Sequence, residues 1–307
     1  MKRYSLFFVL LVASAFTFPP ADVKLEYSFR VGDEYTMVQS TKQTIKQTIM
    51  GMDQVAENAM SGNVKYKVVA VTATGAKLET QFTQMKNTTK SVMGEMVMDS
   101  QGEEQTVQNK LFKSMMNKVF YVILNKRGFV EDIENSENLW SGMKDLGLDA
   151  EKEAEVKKSM EQMMGKNSLK NSFEQAMVYY SDKKVKQGDT WVSKNGFPME
   201  FPIQADNTWS LVSLAGADAK VNSDGVFSTI DKNKKVTLPG GFEAKVDLSG
   251  KQNTKASVNA KSGWPSNLAI SSTLKGTMTL LAGGMIPQDM DVPMEILTET
   301  TYTITKK

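Results

Sequence analysis

Apolar and polar residues alternate over long stretches of this chain, beginning near residue 24. In the first stretch, Leu25, Tyr27 and Phe29 fall on one side of an extended backbone, with polar or charged residues between them. The longest stretch lies near the carboxyl end, where one side carries Met290, Val292, Met294, Ile296, Thr298, Thr300, Tyr302 and Ile304. A period of two residues is typical of half-buried β-strands. Pro293 predicts an edge position or a bulge in this last strand.

Helical spacing is found chiefly in the middle of the chain. Val107, Leu111 and Met115 recur at intervals of four, and Asp149 is placed to cap a second helical stretch. We therefore predict a mainly β (α+β) fold with two related antiparallel β-sheet halves, curved or half-barrel-like, joined by a short helical segment. The predicted boundaries are 22–136 for the first half, 137–180 for the helical connector and 181–307 for the second half.

A short phrase occurs in both predicted halves. Gly32-Asp33 precedes Tyr35 by two residues, just as Gly188-Asp189 precedes Trp191. Two further matches follow in the same order: residues 66–71 with 209–214, and 126–129 with 261–264. An internal duplication explains this order, although Gly-Asp turns before an aromatic strand start also recur by chance in β proteins. In either case Asp33 and Asp189 are predicted to be turn residues rather than catalytic acids.

The first residues resemble an export signal. Lys2 and Arg3 precede the apolar run Leu6 to Val12, which is followed by Ala13-Ser14-Ala15. The apolar run is shorter than the roughly 20 residues needed to span a bilayer. We therefore predict a signal peptide over residues 1–21, no stable membrane span after its removal, and a periplasmic or extracellular location.

Composition excludes several kinds of site. The chain contains no Cys and no His, so it lacks the usual zinc ligands, the Ser-His-Asp triad and the Cys-His dyad. Lys plus Arg number 37 and Asp plus Glu 35, which is not the basic excess of a nucleic-acid-binding protein. No phosphate-binding glycine loop is present, and we expect neither a cofactor nor a nucleic-acid partner.

Methionine is unusually frequent, with 21 residues. Three interpretations are open: methionine fills gaps in a core, it forms an adaptable apolar surface for a lipid or partner, or its thioethers bind Cu(I). If the sheets surround an apolar groove, the candidate lining residues are Met37, Ile45, Met50, Met96, Met98, Met290, Val292, Met294 and Ile296.

The combined pattern resembles a family of uncharacterised secreted proteins of Gram-negative bacteria, classed as a domain of unknown function. The residues that carry the resemblance are Leu25 to Tyr35, the Met-Gly hairpin tips, Asp99-Ser100 before a helix at 103–117, and Leu124 to Val130. The resemblance implies a secreted, β-rich fold and brings no activity or site residues. In architecture alone, the predicted sheets are similar to the half-open barrels of periplasmic lipoprotein carriers, which hold acyl chains against a curved sheet.

Three functions remain open at this point. The first is a non-enzymatic, exported protein that binds a lipid or another apolar ligand in a groove. The second is a structural or interaction module of the cell envelope, which pairs its long last strand with an envelope protein. The third is a hydrolase that uses paired carboxylates, for which Asp289 and Asp291 are examples, although solvated strand-end charges explain that pair more simply.

Overall fold

The structure is a computed structural model that describes residues 22–103, 106–196, 201–238, 241–283 and 286–307. The predicted signal peptide, residues 1–21, lies outside the described residues. The strands are β1 (Glu34–Ile49), β2 (Met52–Val71), β3 (Gly75–Ser91), β4 (Gly94–Asp99), β5 (Phe120–Asn125), β6 (Val130–Glu134), β7 (Thr190–Gly196), β8 (Ile203–Ala215), β9 (Asp218–Thr229), β10 (Val236–Thr237), β11 (Glu243–Asn259), β12 (Pro265–Leu280) and β13 (Met290–Lys306). The helices are α1 (Val107–Met115), α2 (Ala150–Met164) and α3 (Lys166–Gln175). Two short 3₁₀ turns, Ser136–Trp140 and Met143–Leu146, precede α2.

All the strands belong to one antiparallel sheet. Its order is β6-β5-β3-β2-β1-β13-β12-β11-β9-β8-β7, while β4 pairs with β3 and β10 pairs with β11. Most strands therefore pair with a neighbour in the chain, and the first strand β1 and the last strand β13 meet in the middle of the sheet. The sheet is curved, and among the described residues no pairing joins its edges β6 and β7. The predicted fold class, antiparallel and half-barrel-like with a helical segment between two halves, is confirmed.

The alternating pattern gives the sheet two different faces. In β1 the odd-numbered Tyr35 and Met37 are buried, and register places Ile304 of β13 and Val64 of β2 beside Met37 on the same side. We call this side the core face and the opposite side the charged face. Apart from Lys306 at the end of β13, register places every Lys, Asp and Glu of the described strands on the charged face.

The duplication is visible in the backbone hydrogen bonds. The amide of Gly32 donates to the carbonyl of Val68 at 2.8 Å, and the amide of Gly188 donates to the carbonyl of Leu211 at the same distance. A break in register follows Val68 in the β2–β3 pair and Leu211 in the β8–β9 pair. The same turn and the same bulge therefore occur in both halves.

The third sequence match is also a shared turn. The side chain of Asn125 accepts from the amide of Arg127 at 2.9 Å, and the side chain of Asn259 accepts from the amide of Lys261 at 3.0 Å. These turns connect β5 to β6 and β11 to β12. The strands β1, β2, β3, β5 and β6 thus correspond in order to β7, β8, β9, β11 and β12.

The last strand is an interior strand over most of its length. From Met294 to Thr303, β13 is paired with β1 on one side and with β12 on the other. The edge position predicted at Pro293 is found at that residue but does not extend along the strand. Pro293 lies just past the last β1–β13 pair, where β13 has a partner on one side only, so its missing N–H leaves no gap on the β1 side.

Aromatic side chains fill one end of the sheet. We call this end the base and define it by the rings that contact one another there: Tyr27, Phe29, Tyr35, Tyr180 and Trp264. The ring of Trp264 stacks on Tyr35 with centroids 4.0 Å apart and meets Tyr27 edge-on at 5.2 Å. Tyr27 and Tyr180 are fully buried, and each hydroxyl has a backbone partner: Tyr27 accepts from the amide of Val178, and Tyr180 donates to the carbonyl of Gly263. These hydrogen bonds tie the segment before β1 and the segment after α3 to the base of both halves.

The helices lie where the spacing predicted them. The side chain of Asp149 caps α2 by accepting from the amide of Lys152 at 2.9 Å. Helix α3 contacts β6 and β7, the two edges of the sheet. The indole N–H of Trp191 in β7 donates to the carbonyl of Tyr179 at 2.7 Å, so the segment after α3 bridges the gap. None of the helices in the described ranges has the length and apolar character needed to cross a lipid bilayer.

Candidate binding surface on the core face

The hairpins β1–β2 and β3–β4 extend beyond the base, where helix α1 contacts β4 and the core-face side chains Met52, Met60 and Met96 are exposed. We call this part of the core face the tip surface. Its apolar members are Ile45, Ile49, Met52, Met60, Met96 and Met98, and its uncharged polar members are Gln43, Gln47, Gln54, Asn58, Asn87 and Thr89. Register gives the surface no charged side chain, because the Lys, Asp and Glu of these strands alternate onto the other face.

Hydrogen bonds between uncharged side chains cross the sheet at the lower border of the tip surface. Asn58 donates to Gln43 at 3.2 Å, and Gln43 donates to Thr298 at 3.3 Å. The hydroxyls of Thr41 and Thr300 are 3.0 Å apart. These uncharged side chains meet one another's hydrogen-bonding needs, so this row of polar groups can lie next to an apolar ligand without leaving a buried polar group unpaired.

The sequence-predicted lining residues fall into three groups. Met37 and Val292 are buried, and the hydroxyl of Tyr66 donates to the sulfur of Met37 at 3.6 Å. Met50 is in the β1–β2 turn at positive φ, with 79 % of its surface exposed. The remaining candidates, Ile45, Met96, Met98, Met290, Met294 and Ile296, lie on the core face away from the base.

Register determines which of these candidates are close together. Ile45 of β1 lies directly opposite Ile296 of β13, and Met294 is opposite the next core-face residue of β1. Met96 and Met98 belong to β4, which pairs with β3 and is therefore separated from β1 by two strands. The structure thus places Ile45, Ile296 and Met294 side by side and puts the β4 methionines at the far edge of the same surface.

The second half has a hydrophobic cluster that the sequence interpretation did not identify. Its buried members are Ile203, Ala205, Phe227, Val246, Leu248 and Leu274, and Met294 and Ile296 pack at its border. Alternation at Ala244, Val246 and Leu248 was the available signal. This cluster, which we call the second cluster, fills the core face of the second half. The exposed core face therefore belongs mainly to the first half.

A small cavity lies between the end of α3 and the core face of the second half. It has a volume of about 20 Å³ and is lined by residues that include Glu174, Asn207, Trp209 and Gln252. A space of this size holds about one water molecule and no acyl chain. Burial raises the pKa of the Glu174 carboxyl, and the positive charge of Lys170 opposes part of that rise.

The charged face has its own depression, a shallow groove of about 730 Å³ across β8, β9, β11, β12 and β13. Two of its carboxylates have partners: Asp224 accepts from the side chain of Asn253 at 2.9 Å, and Asp206 forms an ion pair with Lys194 at 3.4 Å. Within the described ranges, no three His, Cys, Asp or Glu side chains are grouped so that they could hold a metal ion.

The chain matches one known protein family over more than half of its length. Residues 73–265 match the model of a family described as "Family of unknown function (DUF6263)". The chain belongs to the DUF6263 family. The match runs from the turn before β3 to the first residue of β12, so it covers the helical segment and strands of both halves. The resemblance to a domain of unknown function is thereby confirmed.

Solved structures that resemble this DUF6263 chain do so at low similarity. The COG4313 outer membrane channel from Pseudomonas putida F1 is 8 % identical, with coverage of 94 % of this chain and 100 % of that one, at a TM-score of 0.28. The β domain of the Bordetella autotransporter BrkA is 5 % identical, with coverages of 89 % and 99 % and a TM-score of 0.25. Pseudomonas aeruginosa OccK7 (OpdD) is 7 % identical, with coverages of 90 % and 100 % and a TM-score of 0.22. TM-scores of this size do not establish a shared fold. No curated protein matches the chain.

Proposed function

We propose that this chain is an exported, non-enzymatic protein of the cell envelope that binds an acyl chain or another apolar ligand on the tip surface. The observation that carries this proposal is the separation of charge between the two faces. An uncharged sheet face bearing Ile and Met side chains extends past the base with Met52, Met60 and Met96 exposed, while the charged face carries the Lys, Asp and Glu side chains.

The dimensions of the tip surface suit an extended ligand. From Met52 to Met60 the strand β2 runs about 26 Å at roughly 3.3 Å per residue, and four strands span about 14 Å. Ile45 and its neighbour Ile296 of β13 form an aliphatic pair at the β1 border of the surface. The methionines at its edges have flexible side chains that adapt to ligands of different shape. The neighbouring Gln and Asn amides can hydrogen-bond an ester or amide of the ligand.

The sequence supports export and a binding role. The cationic start and apolar run of residues 1–21 are typical of a signal peptide. The absence of His and Cys from the whole chain removes the side chains that most hydrolases and transferases use as base or nucleophile. We therefore propose binding rather than catalysis.

The proposal is tested by titrating the purified protein with a fluorescent fatty acid and by native mass spectrometry of protein purified without detergent. We expect Ile45→Asp to weaken probe binding at least tenfold, because a carboxylate on the tip surface would have to be desolvated by the ligand. Val38→Asp is the matched control, since Val38 lies on the same strand but on the charged face and is already 47 % exposed.

Unfolding midpoints of both variants separate loss of binding from loss of folding. If the unmodified protein binds no fatty acid and carries no copurified apolar molecule, the proposed function is wrong. Equal weakening by the two variants would also contradict it, because the two positions differ in the face on which they lie.

A further inference from the structure

The duplication supplies an internal comparison for the methionines of the tip surface. When positions are counted from the shared bulge, Met60 of β2 corresponds to Ile203 of β8, and Gly62 corresponds to Ala205. Met85 of β3 is opposite Gly62 and Phe227 of β9 is opposite Ala205, so Met85 corresponds to Phe227. Ile203 and Phe227 are buried members of the second cluster. The first half thus has thioethers where the second half has a branched aliphatic and an aromatic side chain.

A third methionine completes the correspondence. Met98 of β4 lies opposite Asn87 of β3, and Asn87 corresponds to Thr229 of β9. Leu248 of β11 lies opposite Thr229, since its amide donates to the Thr229 hydroxyl at 2.9 Å and its carbonyl accepts from that hydroxyl at 3.1 Å. Met98 therefore has the position of Leu248, another buried member of the second cluster.

The second half shows that side chains at these three positions meet, because Ile203, Phe227 and Leu248 pack in one cluster. The corresponding methionines are on three adjacent strands, with Cα separations of about 7–8 Å between diagonal neighbours. Gly62 lies opposite Met85, which leaves space beside it on the core face. Met60 is 40 % exposed, whereas Ile203 is 2 % exposed, so Met60 is not closed core packing, while Met85 is partly buried against the main core cluster.

We propose that Met60, Met85 and Met98 form a thioether site for a soft monovalent cation, Cu(I). Thioether sulfur is a soft ligand that selects Cu(I) over the hard cations, which require several oxygen ligands. Methionine side chains have three rotatable bonds and can turn their sulfurs toward a common point. Three neutral ligands leave the bound ion with its single positive charge, which the exposure of Met60 allows water to solvate. Met60 and Met98 also belong to the tip surface, but the assignment of the cation site does not rest on the binding of an apolar ligand there.

The experiment uses the full mature chain, with Ag(I) as a redox-stable probe and Cu(I) under anaerobic conditions against a competing chelator. We expect one tight equivalent of either ion. With methionine methyl groups labelled with ¹³C, the ion should shift the signals of Met60, Met85 and Met98 and leave those of Met50 and Met93, which are exposed turn residues, in place. This readout needs no variant and therefore does not depend on folding of a mutant.

Variants provide the second arm. Each single change Met60→Leu, Met85→Leu or Met98→Leu should weaken Ag(I) binding at least tenfold, and the triple change should abolish it, while Met50→Leu and Met93→Leu have no effect. Ag(I) binding is measured directly on protein without added fatty acid, so its result does not depend on whether the proposed function is correct. Failure of the unmodified chain to bind Ag(I), or binding that the triple change leaves intact, would overturn the assignment.

Discussion

Glu174 is the one buried carboxylic acid of the helical segment among the described residues, with 8 % of its surface exposed. It lies on α3 beside the small cavity, near the backbone amide of Val130. Burial raises its pKa above that of an ordinary Glu because the charged form loses hydration, while Lys170 and the Val130 amide lower it in part. The carboxyl therefore holds its proton more tightly in the folded than in the unfolded chain.

The raised pKa of Glu174 predicts how the stability of the variant Glu174→Gln compares with that of the unmodified protein as pH changes. Since the folded state binds more protons, the contribution of Glu174 to stability falls as pH rises from the unfolded pKa through the folded pKa, and is constant above it. Gln keeps the shape and an acceptor oxygen near the Val130 amide but cannot ionise. The variant should be more stable than the unmodified protein at pH 8, and the difference should shrink toward pH 4. Urea unfolding at both pH values checks this, and a difference that grows on acidification would contradict it.

At the scale of elements, local patterns determined much of what the sequence could predict. Alternation located the long strands, the spacing at Leu111 and Met115 located α1, and Asp149 marked the start of α2. The Gly-Asp phrase predicted a turn, because its role depends on backbone conformation within a few residues. The turn aspartates differ in detail: Asp189 accepts from the amide of Lys186, whereas Asp33 forms an ion pair with Lys306.

The candidate site was less accessible from the sequence, because alternation assigns a residue to a face and does not show what covers that face. Met37 and Met60 share the core face, yet Met37 is buried near the base and Met60 is exposed. The covering groups, the aromatic rings of the base and the helices, come from distant parts of the chain. For the same reason the second cluster and Glu174 were missed.

The duplicated turns yield a prediction at this scale. Gly32 and Gly188 have φ of 91° and 93°, and an added Cβ at either would meet no atom within 4 Å. Gly32→Ala and Gly188→Ala should each destabilise the protein by about 1–2 kcal/mol through backbone strain alone. Because the two turns are far apart, the double change should be additive. Asn tolerates positive φ better than Ala, so Gly188→Asn should cost less in the same urea unfolding experiment.

Unequal costs at the two glycines would contradict the equivalence of the turns. A cost below a few tenths of a kcal/mol at both positions would show that the positive φ is not required by the strands that follow.

At the scale of the whole molecule, the position of β13 changes the expected result of a truncation. Removal of residues 288–307 takes away a strand that is paired on both sides along most of its length. We expect the truncated chain to lose cooperative unfolding and near-ultraviolet circular dichroism, rather than to lose capture of a partner while it remains folded. A truncated chain with an intact unfolding transition would show that the two halves are stable separately.

The pairing of β1 with β13 also affects how the protein is made. The Lys306 ammonium binds the Asp33 carboxylate across 273 positions of the chain. As the polypeptide is synthesised, one side of β1 has no partner until β13 has been made. Unpaired strands associate readily with other chains, and pairings so remote in sequence form slowly. The joining of the two ends is thus the expected slow step of maturation, and a holding chaperone would matter most during the interval before it.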